Sequence, residues 1–294
     1  MNSIVNYVSF IEWLAGKLES VPVKFYIPKS ARNSNLIDKQ VMGVEEVLKL
    51  YSWNTSWTDI SNSHIQSQDW NSTKASIGRL SLDIRSACAS KKATDKEVLE
   101  ACKHILEWGG ERDSSKGASK FLGQLEADNR LKEYLLGSKS ALRLASVGGP
   151  VEGEITQMNS MLTKVHAFLA DDGLPIYDSR VAATAACFVE IYRRETTTNP
   201  TVPEELFFPA VGGQGDRRTV RWLFPDCPSS RILRYGQRNI AYDWARAKWH
   251  LGRVIRDVLT TNPKLFAYEG DFPSRAHALE ASFFMIGYDV KCLA

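Results

Sequence analysis

The chain has 294 residues, of which 44% are hydrophobic and 24% are charged, and its formal net charge is +3. This composition excludes a disordered chain and allows a sizeable core, while the small net charge does not by itself indicate a nucleic-acid partner. The five cysteines include no C-x-x-C pair, so we expect buried thiols in a cytoplasmic protein, with no metal and no cofactor. Glu12 and Lys17 interrupt the apolar N-terminal stretch, and we predict neither a signal peptide nor a membrane span.

Apolar residues recur at spacings of three and four along most of the chain, which predicts a mainly helical protein with few or no strands. The best-delimited helix follows a capping box at Thr94 and Glu97 and stops near Gly109. Residues 22–28 alternate and predict a short strand, whereas residues 53–70, rich in Ser, Asn and Trp, predict a long ordered loop. Other helices are predicted near residues 2–18, 38–51, 73–88, 122–135, 155–169, 179–193 and 235–260.

Residues 147–153 contain three glycines and one proline, which is typical of a hinge. We therefore expect one unit over residues 1–294 with two lobes. One lobe comprises approximately residues 38–150, and the other comprises residues 1–37 together with residues 151–294.

A lysine and an aspartate stand on either side of a turn in the centre of the chain. Lys164 lies at the edge of an apolar helix face, where partial desolvation would lower its pKa and favour the nucleophilic amine. Asp178 precedes a helix that is apolar on nearly all sides, so it is a candidate N-cap that the backbone amides hold in direction. Taken alone, each residue is more often structural: an aspartate there is usually a cap, and a lysine there is usually a solvated flank.

The two segments together resemble a known motif. Thr163-Lys164-Val165, followed by Pro175-Ile176-Tyr177-Asp178-Ser179-Arg180-Val181, is similar to the core of the helix-hairpin-helix DNA glycosylases, especially the 8-oxoguanine DNA glycosylase branch. Trp108-Gly109-Gly110 and residues 278–290 extend the resemblance. It implies a two-lobed helical fold in which Asp178 stabilises the sugar cation or activates the attacking water.

The resemblance leaves the role of Lys164 open. Lys164 matches the lysine that attacks C1′ in the bifunctional family members, but it could instead position DNA or tune Asp178. Ser160-Met161-Leu162-Thr163 stands where the family usually carries hairpin glycines, and the interval from Lys164 to Asp178 is short for the family. We therefore favour a monofunctional glycosylase.

A second pattern predicts DNA binding. The helix near residues 235–260 carries arginines and aromatic residues at steps of three or four opposite its apolar stripe, which suits phosphate contacts and base stacking. The alternative is that its aromatic residues pack against another lobe while its arginines pair with carboxylates. The predicted DNA-binding residues are Arg180, Arg238, Tyr242, Arg246, Trp249, Arg253 and Arg256.

The resemblance further implies a base pocket, to which we assign Trp108, Tyr177, Phe283 and Phe284. The expected partner is double-stranded DNA with a flipped modified base, and the expected form is a monomer. A hypermodified cytosine such as α-glucosyl-hydroxymethylcytosine, removed in anti-phage defence, is the first expected substrate. The alternatives are an 8-oxoguanine glycosylase/lyase of base excision repair and a non-catalytic helical DNA-binding protein.

Overall fold

A computed structural model of the chain describes residues 4–111, 113, 115–196, 201–211, 216–227, 232–233 and 239–294. Within these ranges the protein is mainly helical, as predicted, with a few short strands. The helices are α1 (Tyr7–Ser20), α2 (Val44–Lys49), α3 (Trp70–Ala89), α4 (Asp95–Gly109), α5 (Gly117–Ala127), α6 (Leu131–Ala141), α7 (Leu162–Leu169), α8 (Ser179–Glu195), α9 (Val220–Leu223), α10 (Ile240–Thr261) and α11 (Phe272–Ile286). The strands are β1 (Pro22–Ile27), β2 (Ile37–Met42), β3 (Thr55–Thr58), β4 (His64–Ser67), β5 (Ala210–Val211) and β6 (Ile232–Leu233).

The strands form small two-stranded sheets at the edge of the helical core. β1 confirms the strand predicted at residues 22–28, and it pairs in antiparallel register with β2. The prediction of a loop at residues 53–70 is wrong, because β3 and β4 form an antiparallel pair there. Trp57 of β3 is fully buried, and its indole nitrogen donates to Ser76 Oγ of α3. Trp57 thus joins the β3–β4 hairpin to α3.

Local signals explain where two of the helices begin. The predicted capping box of α4 is present, with Thr94 and Glu97 each bonded to the backbone of the other, and Gly110 ends the helix at a φ of +95°. α7 begins only at Leu162, whereas a helix from residue 155 was predicted. The Asn159 side chain accepts from the backbone N–H groups of Met161 and Leu162, so it caps the helix at that point.

The core is continuous across the predicted lobes. α8 packs against α11 and α1, while α3, α4 and α6 pack against α7. The predicted boundary at residue 38 lies within β2, which pairs with β1, and α2 packs against α11. A lobe boundary at residue 38 would therefore separate the paired strands β1 and β2, and it would separate α2 from α11.

Two observations bear on the environment of the chain. No helix in the described ranges has the length and apolar character needed to cross a membrane. The five cysteines are all buried thiols, as the sequence predicted.

α7 also carries a buried histidine that links stability to pH. His166 is 2% exposed, and neither ring nitrogen has a hydrogen-bond partner among the residues that the structure describes. Burial, followed by the nearby charge of Lys248, lowers the pKa of His166 from its ordinary value to about 3. In the unfolded chain His166 binds a proton near pH 6.5, whereas in the folded chain it does so only near pH 3. The contribution of neutral His166 to the free energy of unfolding is therefore fully present above pH 6.5 and is lost as the pH falls towards 3.

We expect the free energy of unfolding to fall by about 2–3 kcal/mol between pH 6.5 and 4.5 through His166. His166→Phe removes this dependence, and urea unfolding at the two pH values measures it. His64→Phe, at an exposed histidine, is the matched control and should keep the wild-type dependence. An equal loss of stability in His166→Phe and the wild type would contradict the assignment.

Candidate active site

One cavity of about 440 Å³ brings together the central predicted residues. Lys164 of α7, Asp178 and Arg180 at the start of α8, Trp108 of α4 and Phe284 of α11 all line it. These side chains come from the consecutive helices α7 and α8 and from α4 and α11, which are distant from them in sequence, so the packing of the four helices creates the site.

Asp178 is fixed by the helix that it caps. Its Oδ1 accepts hydrogen bonds from the backbone N–H groups of Arg180 at 2.9 Å and Val181 at 3.1 Å. Oδ2 forms no hydrogen bond with a described residue, and the side chain is half-buried at the cavity wall. The carboxylate therefore has one oxygen committed to the helix and one oxygen available to a ligand.

The backbone before Asp178 is also held tightly. The backbone N–H of Tyr177 donates to Thr163 Oγ1 of α7 at 2.9 Å, and its carbonyl accepts from the indole of Trp244 at 3.0 Å. The phenol donates to the carbonyl of Pro209 at 2.9 Å. Tyr177 is thus a buried anchor for the turn and does not line the cavity, so its predicted place in the base pocket is corrected to the core.

Two buried charged groups hold the preceding residues of the same turn. The N–H of Ile176 donates to Glu280 Oε2 at 3.1 Å, and the carbonyl of Pro175 accepts from Lys248 Nζ. Glu280 also lies 3.3 Å from His277 Nδ1, and both of these side chains line the cavity. The turn that delivers Asp178 is therefore bonded to α7, α10 and α11.

Lys164 is 7% exposed, and its Nζ donates to the carbonyl of Ser160 at 2.9 Å. Burial lowers the pKa of Lys164, and the negative charge of Asp178 partly opposes that shift. Gly109 makes room for this side chain, because a Cβ there would lie 2.9 Å from both Lys164 Cδ and Met161 Sδ. The glycine in the Trp108-Gly109-Gly110 sequence therefore has a steric role beside the candidate lysine.

Arg180 occupies an aromatic cage. Its guanidinium carbon lies 5.1 Å from the ring centre of Trp53, 4.5 Å from that of Phe284 and 4.1 Å from that of Tyr288. Arg218 lines the same cavity, and burial, together with the charge of Arg180, lowers its pKa to about 10. The cavity thus has a cationic end beside Asp178.

Phe283 was predicted to line the base pocket, but it does not line the cavity. It is 1% exposed and packs against Phe188 of α8, with ring centres 5.4 Å apart. Its predicted place is corrected to the core, and only the neighbouring Phe284 reaches the cavity. Adjacent residues of a helix point in directions about 100° apart, so Phe283 and Phe284 can have different surroundings.

The predicted DNA-binding face of α10 is partly engaged inside the protein. Trp249 is 1% exposed and donates to the carbonyl of Arg143, which corrects its prediction as a stacking surface. Arg256 donates to the carbonyl of Leu144 at 2.8 Å. Arg253 lies over the Trp249 ring at 5.1 Å. Trp249 and Arg256 therefore make the contacts expected from the alternative hypothesis, in which this face of α10 packs within the protein.

The N-terminal part of that face is less buried. Arg246 pairs with Glu204 at 2.9 Å and donates to the Tyr242 hydroxyl at 3.1 Å, and both side chains are half-buried. Arg238 lies outside the described residues. Arg246, Tyr242 and Arg253 therefore stay predictions for DNA contact.

Several residues at the cavity or behind it were not predicted from the sequence. Lys248 falls between Trp244 and Leu251 on the apolar stripe of α10, and a lysine at such a position is a usable signal of a buried cation. Trp53 and Glu280 had no local signal. Trp53 lies just before β3 and Glu280 lies in α11, and these two segments meet at the cavity only through the packing of the chain.

Comparisons of the chain with protein-family models, with curated proteins and with solved structures found no match. In the part of the chain that the structure describes, no group of three histidine, cysteine or carboxylate side chains is arranged around a common point for a metal ion. Function is therefore inferred from the geometry and charges of the cavity.

Thr163→Val tests the contact between α7 and the turn before Asp178. The substitution keeps the shape of the side chain but leaves the buried N–H of Tyr177 without its acceptor, so we expect a loss of about 1–3 kcal/mol in unfolding free energy. Thr260→Val is the matched control, since the Thr260 hydroxyl is exposed and bonds only within α10. Equal unfolding free energies for both variants in urea titrations would show that the contact contributes nothing.

Proposed function

We propose that the protein is a DNA N-glycosylase that binds a flipped, modified nucleotide in the cavity and leaves an abasic site. The observation that carries the proposal is the common cavity of Asp178 and Lys164, with Asp178 fixed in direction by α8. Flipping is required because the sugar C1′ and the base edge are not accessible together inside a stacked duplex.

The chemistry needs a fixed negative charge beside the sugar. When the bond between C1′ and the base nitrogen breaks, its electron pair leaves with the base and positive charge develops on the sugar ring. The free oxygen of Asp178 stabilises that charge and accepts a proton as water adds to C1′. No new orientation of the carboxylate is needed, since its other oxygen stays bonded to the helix.

The remaining walls suit a nucleobase. Trp53, Trp108 and Phe284 offer aromatic surface for stacking, and Glu280 is a hydrogen-bond acceptor for an exocyclic amine such as that of cytosine. The volume of about 440 Å³ lies within the range of small-molecule sites and leaves room for a substituent on the ring. These features suit a modified cytosine such as α-glucosyl-hydroxymethylcytosine, which we propose as the substrate. The biological role that we propose, anti-phage defence, rests on the resemblance of the sequence to the glycosylases.

A second candidate is an 8-oxoguanine glycosylase/lyase of base excision repair. The burial that lowers the pKa of Lys164 favours this alternative, because a neutral amine can attack C1′ and form a Schiff base. We favour the monofunctional reaction, since Lys164 Nζ already donates to the carbonyl of Ser160, whereas Asp178 keeps one oxygen without a hydrogen bond to a described residue.

Asp178→Asn should reduce base excision by at least ~100-fold while leaving the fold intact, because asparagine is also a good N-cap. Abasic sites are measured by alkaline strand cleavage of DNAs that carry α-glucosyl-hydroxymethylcytosine, hydroxymethylcytosine or 8-oxoguanine, and mass spectrometry identifies the released base. Asp271→Asn is the matched control, since Asp271 caps α11 in the same way outside the cavity.

Two outcomes would refute the catalytic role of Asp178. One is excision at the wild-type rate in Asp178→Asn. The other is that the wild-type protein excises no base from any of the modified DNAs. If the protein then still binds DNA in a salt-dependent manner, the result favours the non-catalytic DNA-binding alternative.

Borohydride trapping tests the role of Lys164. We expect no covalent adduct between the wild-type protein and modified DNA, since water is the proposed nucleophile. A trapped adduct that disappears in Lys164→Gln but persists in Lys91→Gln, at an exposed lysine, would instead establish the lyase reaction.

A further inference from the structure

Lys248 is a buried cation that does not line the cavity. It lies in the middle of α10 and is 0% exposed. Its Nζ donates to the carbonyl of Thr163 at 3.0 Å and to the carbonyl of Pro175. No carboxylate pairs with it among the described residues, so its contacts are with backbone oxygens. Burial of an unpaired ammonium is unfavourable, and this position therefore needs an explanation.

The two carbonyls belong to the segments that carry the candidate catalytic side chains. Thr163 immediately precedes Lys164 in α7, and Pro175 opens the turn that ends at Asp178. The ammonium of Lys248 thus bridges the two segments behind the cavity. Thr163 Oγ1, which accepts from the N–H of Tyr177, is a second bridge between the same segments.

A cation suits this position because both of its partners are acceptors. Hydrogen bonds from an ammonium are stronger and shorter than those from a neutral donor, and an apolar residue would leave both carbonyls without this donor. Burial lowers the pKa of Lys248 to about 7, the charges of Glu280 and Asp172 oppose that shift, and the charge of Lys164 adds to it. His166 of α7 also senses the charge of Lys248.

We propose that Lys248 is a positioning residue that holds the segment of Lys164 and the turn of Asp178 in fixed register across the back of the cavity. This inference rests on the proposed glycosylase function, because its consequence is a correctly placed carboxylate at C1′. Lys248 does not line the cavity, so it acts through its hydrogen bonds to the backbone carbonyls of Thr163 and Pro175.

Lys248→Met removes the charge and the donor while keeping an unbranched side chain. At saturating enzyme, we expect the single-turnover rate of base excision to fall by about tenfold to hundredfold, because a small displacement of a catalytic group has effects of this size. The Kd for a duplex with a tetrahydrofuran abasic analogue should stay unchanged, since no DNA contact is removed. Hydrogen exchange should accelerate at the N–H groups of Ile176 and Tyr177.

Double variants identify the side chain through which Lys248 acts. In an Asp178→Asn background, Lys248→Met should have little further effect on the residual rate, whereas in a Lys164→Gln background it should keep its full effect. Lys264→Met, at an exposed lysine just beyond α10, is the matched control and should match the wild type in rate and in hydrogen exchange.

The proposal is wrong if Lys248→Met keeps the wild-type rate, or if its effect is the same with and without Asp178. It is also wrong if both Lys248→Met and Lys248→Gln fail to fold, because Lys248 would then be a determinant of folding. Hydrogen exchange separates this inference from the proposed function. Absence of excision in the wild type refutes the function, whereas unchanged exchange at Ile176 and Tyr177 in Lys248→Met refutes the role of Lys248.

Discussion

The hydrogen bonds between Asp178 and the first turn of α8 are the constraint on which the site depends. α8 is buried along most of its length, so its unpaired N–H groups must find acceptors inside the protein. Asp178 Oδ1 supplies one acceptor for both Arg180 and Val181. Turning the carboxylate away would leave those N–H groups without an acceptor, so the bonds that begin the helix also fix the orientation of Asp178 at the cavity wall.

Buried positive charge surrounds this carboxylate. Lys164, Arg180 and Lys248 are each at most 8% exposed, although isolated cations are strongly disfavoured in a protein interior. Each one is stabilised differently: Lys164 by a backbone carbonyl and the charge of Asp178, Lys248 by two carbonyls, and Arg180 by three aromatic rings. Lys164 and Arg180 line the cavity beside Asp178, and positive charge at this place would attract the polyanion that we propose as the substrate.

Local signals predicted the parts of the site that depend on neighbours in sequence. The cap at Asp178 and the capping box of α4 were readable because their partners lie within three residues. Burial of Trp249 could not be read from helical spacing, since an aromatic residue opposite an apolar stripe can face solvent or another segment. The bond of Lys248 to Pro175 joins residues 73 positions apart, and no pattern in either segment specifies it.

The charges around Lys164 have consequences for the reaction. Burial favours its neutral amine, whereas the negative charge of Asp178 favours its protonated form. A bound nucleotide would exclude water from the cavity and strengthen both effects together, because desolvation and Coulomb attraction both grow as the local dielectric constant falls. Burial is the larger of the two effects, so the pKa of Lys164 stays lowered in spite of Asp178. The proposal that water is the nucleophile therefore depends on the positions of the two groups: Asp178 has one oxygen without a hydrogen bond to a described residue, whereas Lys164 Nζ already donates to the carbonyl of Ser160.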